Sequence, residues 1–206
     1  GSTDVMEALA THGVQTVLFT RIPSTDEFDP FSGYQAFGLA GTSRSQTTEW
    51  MDEHLPPAFA WAKLLCARFF HYKVCSTFDS APQVGSIGRA IEIGAHIFAQ
   101  DCIPLVVGAP QLKRYTFAGH LFAAYQGQVH RIDRHPVMSR HPVTPMDESD
   151  LRIHLSRQTN LPVHLASDTP SKPGIELVDV HDAATQLLAG ERLLALPGGI
   201  FVAGSS

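Results

Sequence analysis

HYKVCSTFDS, residues 71–80, begins as an apolar strand and ends in hydroxyl groups and a carboxylate. Buried polar groups cost free energy unless they are hydrogen-bonded, so a core strand does not need such an ending. In an open parallel sheet, ligands bind outside the carboxyl ends of the strands. We therefore interpret residues 71–80 as a strand whose polar end lines a binding site.

Outside this stretch, short runs rich in Val, Ile and Phe alternate with helical patterns. The predicted strands are 15–20, 36–41, 71–78, 103–109, 162–167, 175–180 and 199–205. The predicted helices are 3–12, 47–68 with a break at Pro56 and Pro57, 87–100, 147–159 and 182–196. Such alternation indicates βαβ units. The fold class is α/β, a Rossmann-like three-layer sandwich whose mostly parallel sheet carries helices on both faces.

Residues 110–146 interrupt this rhythm. RYTFAGHLFAAYQGQVHRID, residues 114–133, is compatible with a β-hairpin or with an irregular excursion, and DRHPVMSRHPVTPMDE, residues 133–148, with a long loop. Loops of this length in compact domains are usually functional or disordered. We expect this one to pack near the binding site or an interdomain cleft, with its histidines hydrogen-bonded. The histidine spacing matches no standard zinc pattern, and we predict no metal site.

Composition excludes several classes of protein. The chain has 206 residues, 44% of them hydrophobic, which is enough for one sizeable core. A formal net charge of -5 disfavours nucleic acid and anionic membranes as partners. No apolar run approaches the roughly 20 residues of a membrane helix. Three cysteines without CxxC spacing are typical of thiols in a reducing cytosol, so a cytoplasmic protein is expected, and a homo-oligomer is compatible with these features.

Three predicted strand ends carry polar clusters. The strand 36–41 leads into Thr42, Ser43 and Arg44, the strand 71–78 into Asp79 and Ser80, and the last strand into serines. A single polar strand end is more often a helix cap. Three on the same rim of a sheet indicate a site.

The residue types suit a small polyhydroxy acid. Arg44 offers a planar fork for a carboxylate or phosphate, and Lys73 a point charge, unless it is an ordinary surface lysine. Asp79 could accept a hydroxyl proton or, alternatively, cap the next helix. The hydroxyl groups of Ser76, Thr77 and Ser80 can donate hydrogen bonds to a sugar and accept hydrogen bonds from it.

The sequence GSIG opens the helix predicted at 87–100. Gly85, Ser86 and Gly88 could let the backbone approach an anion at the helix N-terminus, a weak signal on its own. The chain has neither GxGxxG nor GxxxxGK[ST], so dinucleotide and Walker-type phosphate loops are not supported. It has no GxSxG elbow either, which disfavours a serine hydrolase.

Several segments resemble the four-carbon acid sugar kinase family. They are STDVMEAL at 2–9, GTSRS at 41–45, YKVCSTFDSAP at 72–82, GSIGRAIEIG at 85–94 and DRHPVMSRHPVTPMDESDL at 133–151. In that family an N-terminal α/β domain binds the sugar acid and a C-terminal domain binds ATP. The resemblance implies ATP-dependent, Mg-dependent phosphorylation of a tetronate such as threonate, erythronate or 3-oxo-tetronate, and CSTFDS is closer to the oxo-tetronate and erythronate kinases.

The resemblance also assigns roles. It implies that residues 1–206 form the sugar-acid-binding domain, that a nucleotide-binding domain follows residue 206, and that the chain alone is inactive. Arg44 and residues 73–80 would contact the sugar acid, and Gly85–Gly88 would lie near the transferred phosphate. Asp79 would orient or deprotonate the hydroxyl, although the family's catalytic base could be one of two aspartates that precede its first helix and are absent here. A non-catalytic sugar-acid sensor is the alternative, and an α/β oxidoreductase a weaker one.

Overall fold

The computed structural model describes residues 2–167 and 172–205. Its helices are α1 (Ser2–Thr11), α2 (Thr25–Phe28), α3 (Thr48–Leu64), α4 (Ile87–Phe98), α5 (Leu151–Ser156) and α6 (Ala183–Leu194). Its strands are β1 (Thr16–Phe19), β2 (Ala36–Leu39), β3 (Phe69–Lys73), β4 (Cys102–Val106), β5 (Arg114–Phe117), β6 (His120–Tyr125), β7 (Gln128–Arg131), β8 (Val163–Leu165), β9 (Gly174–Val178) and β10 (Ile200–Gly204). All seven predicted strands are present, with ends shifted by a few residues.

The central layer is a parallel sheet in the order β3-β10-β4-β9-β8, and β1 and β2 form a second parallel pair. Alternate residues of β9 show that both faces are covered. Ile175 and Leu177 enter the main core, whereas Glu176 points to α6 and bonds to Arg192 at 2.9 Å. The predicted α/β class with helices around a mostly parallel sheet is confirmed.

Helix α4 lies close to the sheet because Gly94 has no side chain. A Cβ atom there would come within 2.3 Å of the Phe201 ring. Phe201 in turn stacks on Phe70 of β3, with ring centroids 5.6 Å apart. This packing holds α4 against β10 and β3.

One predicted strand boundary and one predicted helix break are wrong. The strand 71–78 begins earlier and ends at Lys73, because β10 stops opposite that residue and only the Val74 amide still bonds to Gly204. The predicted break at Pro56–Pro57 does not occur, since α3 runs through both prolines. Its face formed by Met51, Leu55 and Phe59 is buried, and this packing outweighs the lost backbone hydrogen bonds.

The excursion at 114–133 is a three-stranded antiparallel meander of β5, β6 and β7. Two short 3-10 turns follow, at Ile132–Arg134 and Met138–Arg140. The helix predicted at 147–159 is limited to α5, which starts where Asp150 caps it. No helix within residues 2–167 and 172–205 is long and apolar enough to cross a membrane.

Candidate functional site: an arginine held at the sheet rim

Arg44 and Asp79, 35 residues apart in sequence, form an ion pair at the carboxyl ends of β2 and β3. Arg44 Nη2 donates to Asp79 Oδ2 at 2.7 Å. The two partners differ in exposure, since the Arg44 side chain is 59% exposed and the Asp79 side chain 1%. The carboxylate is therefore buried behind the guanidinium, which presents its remaining N–H groups to solvent.

Two further hydroxyls hold the Asp79 carboxylate. Thr77 Oγ1 donates to Oδ1 at 2.5 Å, and Thr144 Oγ1 donates to Oδ2 at 3.3 Å. Burial by itself would raise the pKa of Asp79, but the hydrogen bonds from Thr77 and Arg44 outweigh it and leave this pKa below its usual value. Asp79 is thus a firmly ionised carboxylate whose oxygens are already bonded, a poor proton acceptor and a good anchor for Arg44.

The turn that carries Asp79 has a conformation that local sequence preferences do not favour. Phe78 has φ 56, in the left-handed region that a bulky side chain seldom adopts, and is fully buried. Asp79 lies between Phe78 and Ser80, and the Ser80 side chain holds this turn in place. Ser80 Oγ donates to the Phe78 carbonyl and lies 3.0 Å from His154 Nε2 of α5. Tertiary packing on α5 therefore keeps Asp79 aimed at Arg44.

The alternative role of Asp79 as a cap of α4 is wrong. Ser86 is the N-cap, and its side chain accepts from the Arg89 amide.

The same helix end is closed by protein groups. A Cβ atom on Gly85 would lie 2.2 Å from the Arg44 carbonyl oxygen, and one on Gly88 would lie 2.7 Å from Gln158 Cβ. The Gly88 amide donates to Gln158 Oε1 at 3.2 Å. Residues 85–88 are all buried. Close packing against Arg44 and Gln158 thus accounts for both glycines without an anion.

The other predicted site residues are distributed around this centre. Lys73 Nζ donates to the Val74 carbonyl at 2.6 Å, and burial lowers the pKa of this lysine. Ser43 Oγ lies 2.9 Å from Tyr72 Oη, whereas Ser76 is half-buried in the turn. Thr42 is exposed, and its hydroxyl accepts from Gln46 at 3.2 Å.

The third predicted polar strand end, after β10, contributes less to this candidate site. Ser205 Oγ donates to the Val107 carbonyl at 2.7 Å, so this hydroxyl is bonded to the residue that follows β4. Ser206 lies outside the described residues.

The loop at 133–148 contacts Asp79 through the Thr144 hydroxyl. His141 Nδ1 accepts from the Thr144 amide at 3.0 Å and lies 3.1 Å from its hydroxyl. Sequence reasoning missed Thr144, His154 and Gln158, since no local pattern connects them to Asp79. Within residues 2–167 and 172–205, no three His, Cys, Asp or Glu side chains are grouped so that they could hold a metal ion.

Curated relatives of this chain are sugar-acid kinases. The 3-oxo-isoapionate kinase of Paraburkholderia graminis is 46% identical over 223 aligned residues, which cover 100% of this chain and 47% of the relative. The 3-oxo-tetronate kinase of Pseudomonas fluorescens is 32% identical, with 86% of this chain and 40% of the relative covered. The chain thus spans about half the length of the first of these proteins, and less of the second.

Solved structures match the fold of the whole chain. A Haemophilus influenzae protein aligns with a TM-score of 0.84 at 22% identity, covering 100% of this chain and 51% of that chain. A Bordetella bronchiseptica protein, solved with bound citrate as a domain-swapped dimer, aligns with a TM-score of 0.73 at 18% identity over 100% of this chain and 51% of its own. At these identities the likeness shows the fold alone.

A family model for a sugar-binding N-terminal domain matches residues 1–197. Together with the kinase relatives, this match shows that the chain belongs to the family of sugar-binding N-terminal domains of four-carbon acid sugar kinases.

Proposed function

We propose that this chain is the sugar-acid-binding domain of an ATP-dependent kinase that phosphorylates a hydroxyl group of a 3-oxo sugar acid. The observation that carries the proposal is the exposed guanidinium of Arg44, held from behind by the buried carboxylate of Asp79. A planar, pre-oriented cation suits a carboxylate, which every sugar acid has. In the transfer, the γ-phosphoryl group of ATP would move to the hydroxyl oxygen, and ADP would leave.

The relatives favour one substrate over the others. Identity to the 3-oxo-isoapionate kinase is 46%, against 32% to a 3-oxo-tetronate kinase. We therefore place 3-oxo-isoapionate first and 3-oxo-tetronate second, ahead of erythronate and threonate. Each of the first two names denotes an acid with a carboxylate and an oxo group, so one anion anchor serves both.

The geometry divides the predicted residues into contacts and supports. We assign Arg44 to the carboxylate, Lys73 to the developing phosphate charge, and Thr42, Ser43 and Ser76 to sugar hydroxyls. We assign Thr77 and Ser80 to the support of the turn that carries Asp79, because their buried hydroxyls already bond within the protein.

Asp79 is better suited as a positioning residue than as the catalytic base, because its oxygens accept from Arg44, Thr77 and Thr144. The base would then lie elsewhere in the full-length protein.

The residues described here do not fit ATP or Mg²⁺. The N-terminus of α4 is closed by Gln158, and the described residues contain no cluster of carboxylates suited to a cation. We propose that both are bound mainly by a separate nucleotide-binding domain of the full-length protein, following residue 206, and that residues 1–206 alone do not turn over ATP. A homo-oligomer in the cytoplasm is the setting we expect for such an enzyme.

The test measures phosphorylation of 3-oxo-isoapionate, 3-oxo-tetronate, erythronate and threonate by the full-length protein. Arg44→Lys is the central variant. Losing a two-pronged, charge-assisted contact should cost about 1.5–3 kcal/mol, roughly 10- to 150-fold in sugar-acid affinity, and leave the KM for ATP unchanged. Arg21→Lys is the matched control, because Arg21 lies just after β1 in an exposed pair with Glu27.

Three results would contradict the proposal. Equal losses for ATP and sugar acid would assign Arg44 to the phosphate. No change in either would make it a surface residue. Sugar-acid binding without any phosphoryl transfer would favour a sensor.

A further inference from the structure

The sequence RHPV occurs twice in the loop, at 134–137 and at 140–143, and the two copies fold alike around their histidines. His135 Nδ1 accepts from the backbone amides of Val137 and Met138, both at 3.2 Å. His141 Nδ1 accepts from the amide of Thr144 at 3.0 Å. In each copy the ring nitrogen nearer the backbone serves as an acceptor for the turn.

This arrangement fixes the tautomer of the neutral rings. A backbone amide can only donate, so Nδ1 must be unprotonated and Nε2 must carry the hydrogen. The Nε2 atom of a neutral ring held in this way can donate a hydrogen bond, and it cannot accept a proton. Both histidines therefore offer one N–H group on the side of the ring that faces away from the turn.

The surroundings of the two N–H groups differ. His135 is 4% exposed, and its Nε2 is buried. His141 is half-exposed, and within residues 2–167 and 172–205 its Nε2 is neither bonded to protein nor among the buried polar atoms that lack a partner. The N–H group of His141 is thus open to solvent.

The position of His141 is set by the same carboxylate that holds Arg44. Thr144, which bonds to the ring, also donates through its hydroxyl to Asp79 Oδ2. Asp79 Oδ2 accepts from Arg44 Nη2 at 2.7 Å. One buried carboxylate therefore anchors two exposed donors from segments almost 100 residues apart, Arg44 directly and His141 through Thr144.

We propose that His141 contacts the substrate, donating a hydrogen bond from Nε2 to an oxo or carboxylate oxygen of the sugar acid beside Arg44. This inference rests on the proposed function and adds a recognition residue to the same site. The partner atom must be an acceptor, which an oxo or a carboxylate oxygen is and an ammonium group is not. His141 is then a specificity residue for oxygen acceptors, with no role as a base.

The test uses the full-length protein with 3-oxo-isoapionate and 3-oxo-tetronate as the probes. In His141→Asn, the shorter side chain places an oxygen near the position of Nδ1 and can still accept from the Thr144 amide, but it lacks the distal N–H group. We expect its KM for the better of the two acids to rise about tenfold or more, with an unchanged KM for ATP and nearly unchanged Tm. His141→Gln, which places an amide N–H near the Nε2 position, should recover part of the loss.

His135→Asn is the matched control, because it changes the same motif in the buried copy and should leave the KM for the acid unchanged even if it lowers Tm. A normal KM in His141→Asn, with Arg44→Lys still impaired, would overturn the inference and leave the proposed function standing. If Arg44→Lys and His141→Asn both bind the acids normally, the proposed site itself is wrong.

Discussion

Two segments that follow β3 make an instructive pair, the turn at residues 76–80 and the glycine segment at residues 85–88. The sequence predicts a ligand beside both. The turn aims Asp79 at Arg44 and leaves the Arg44 side chain 59% exposed, so it presents a charge to solvent. The glycine segment is buried, and its amide at Gly88 bonds to Gln158. A glycine shows that something comes close to the backbone, but only the tertiary structure shows whether that is ligand or protein.

Gln158 connects the two segments. Its Nε2 donates to Ser80 Oγ at 2.9 Å, and its Oε1 accepts from the Gly88 amide. The glycine segment thus supports the turn. Substitutions that affect the support and the exposed charge separately test whether the two segments have these different roles.

Gly85→Ala should have the largest effect. The new Cβ would lie 2.2 Å from the Arg44 carbonyl oxygen, and φ is +61. Overpacking and a left-handed backbone together should cost about 2–5 kcal/mol of unfolding free energy. Displacement of the Arg44 backbone should also weaken sugar-acid binding.

Gly127→Ala is the control for Gly85→Ala, since it has φ +82 and nothing within 4 Å of the new atom. Chemical denaturation should show only about 1–2 kcal/mol of loss for this control. Equal losses for the two variants would mean that contact with Arg44 does not matter.

The next effect concerns His154, which lies beside Ser80 at the base of the turn. Burial lowers the pKa of His154 to about 4 from its usual 6.5. Because the folded pKa lies below that of the unfolded chain, the full stability is present above about pH 6.5 and is lost as the pH falls through this window toward 4. The shift corresponds to about 3 kcal/mol.

His154→Gln keeps an amide donor that can reach Ser80 and removes the titration. Unfolding free energies measured between pH 8 and pH 4 should therefore fall less steeply in this variant than in the parent protein. Burial also lowers the pKa of His71 and His135, and both remain in the two proteins, so the difference between the curves isolates His154. Parallel curves would show that His154 is not a buried neutral group in the folded protein.

Ser86→Ala should have the smallest effect and tests the glycine segment most directly. Loss of the cap that accepts from Arg89 should cost about 1 kcal/mol of stability. If protein groups close this helix end, the KM values for sugar acid and ATP should not change in the full-length protein. A raised KM for ATP would place the transferred phosphate at α4 after all and remove the distinction between the two segments.

The class of fold and the centre of the candidate site could be predicted from the sequence. Alternation of apolar runs with helical patterns follows from local geometry, and this is why all seven predicted strands and a mostly parallel sheet are present. The polar segments after β2 and β3 contain Arg44 and Asp79, which pair as the sequence suggested. The expected single rim is wrong, because β2 pairs with β1 in a sheet separate from that of β3 and β10.

The roles of those residues depend on contacts between distant segments. Asp79 is an anchor because Thr144 and Arg44 converge on it from distant segments, and α3 continues through Pro56 because its buried face outweighs two missing amides. Hydrogen bonds and burial of this kind depend on which distant atoms meet, and local patterns carry no record of that. The two copies of RHPV show the same dependence, since the same four residues bury His135 and leave His141 half-exposed.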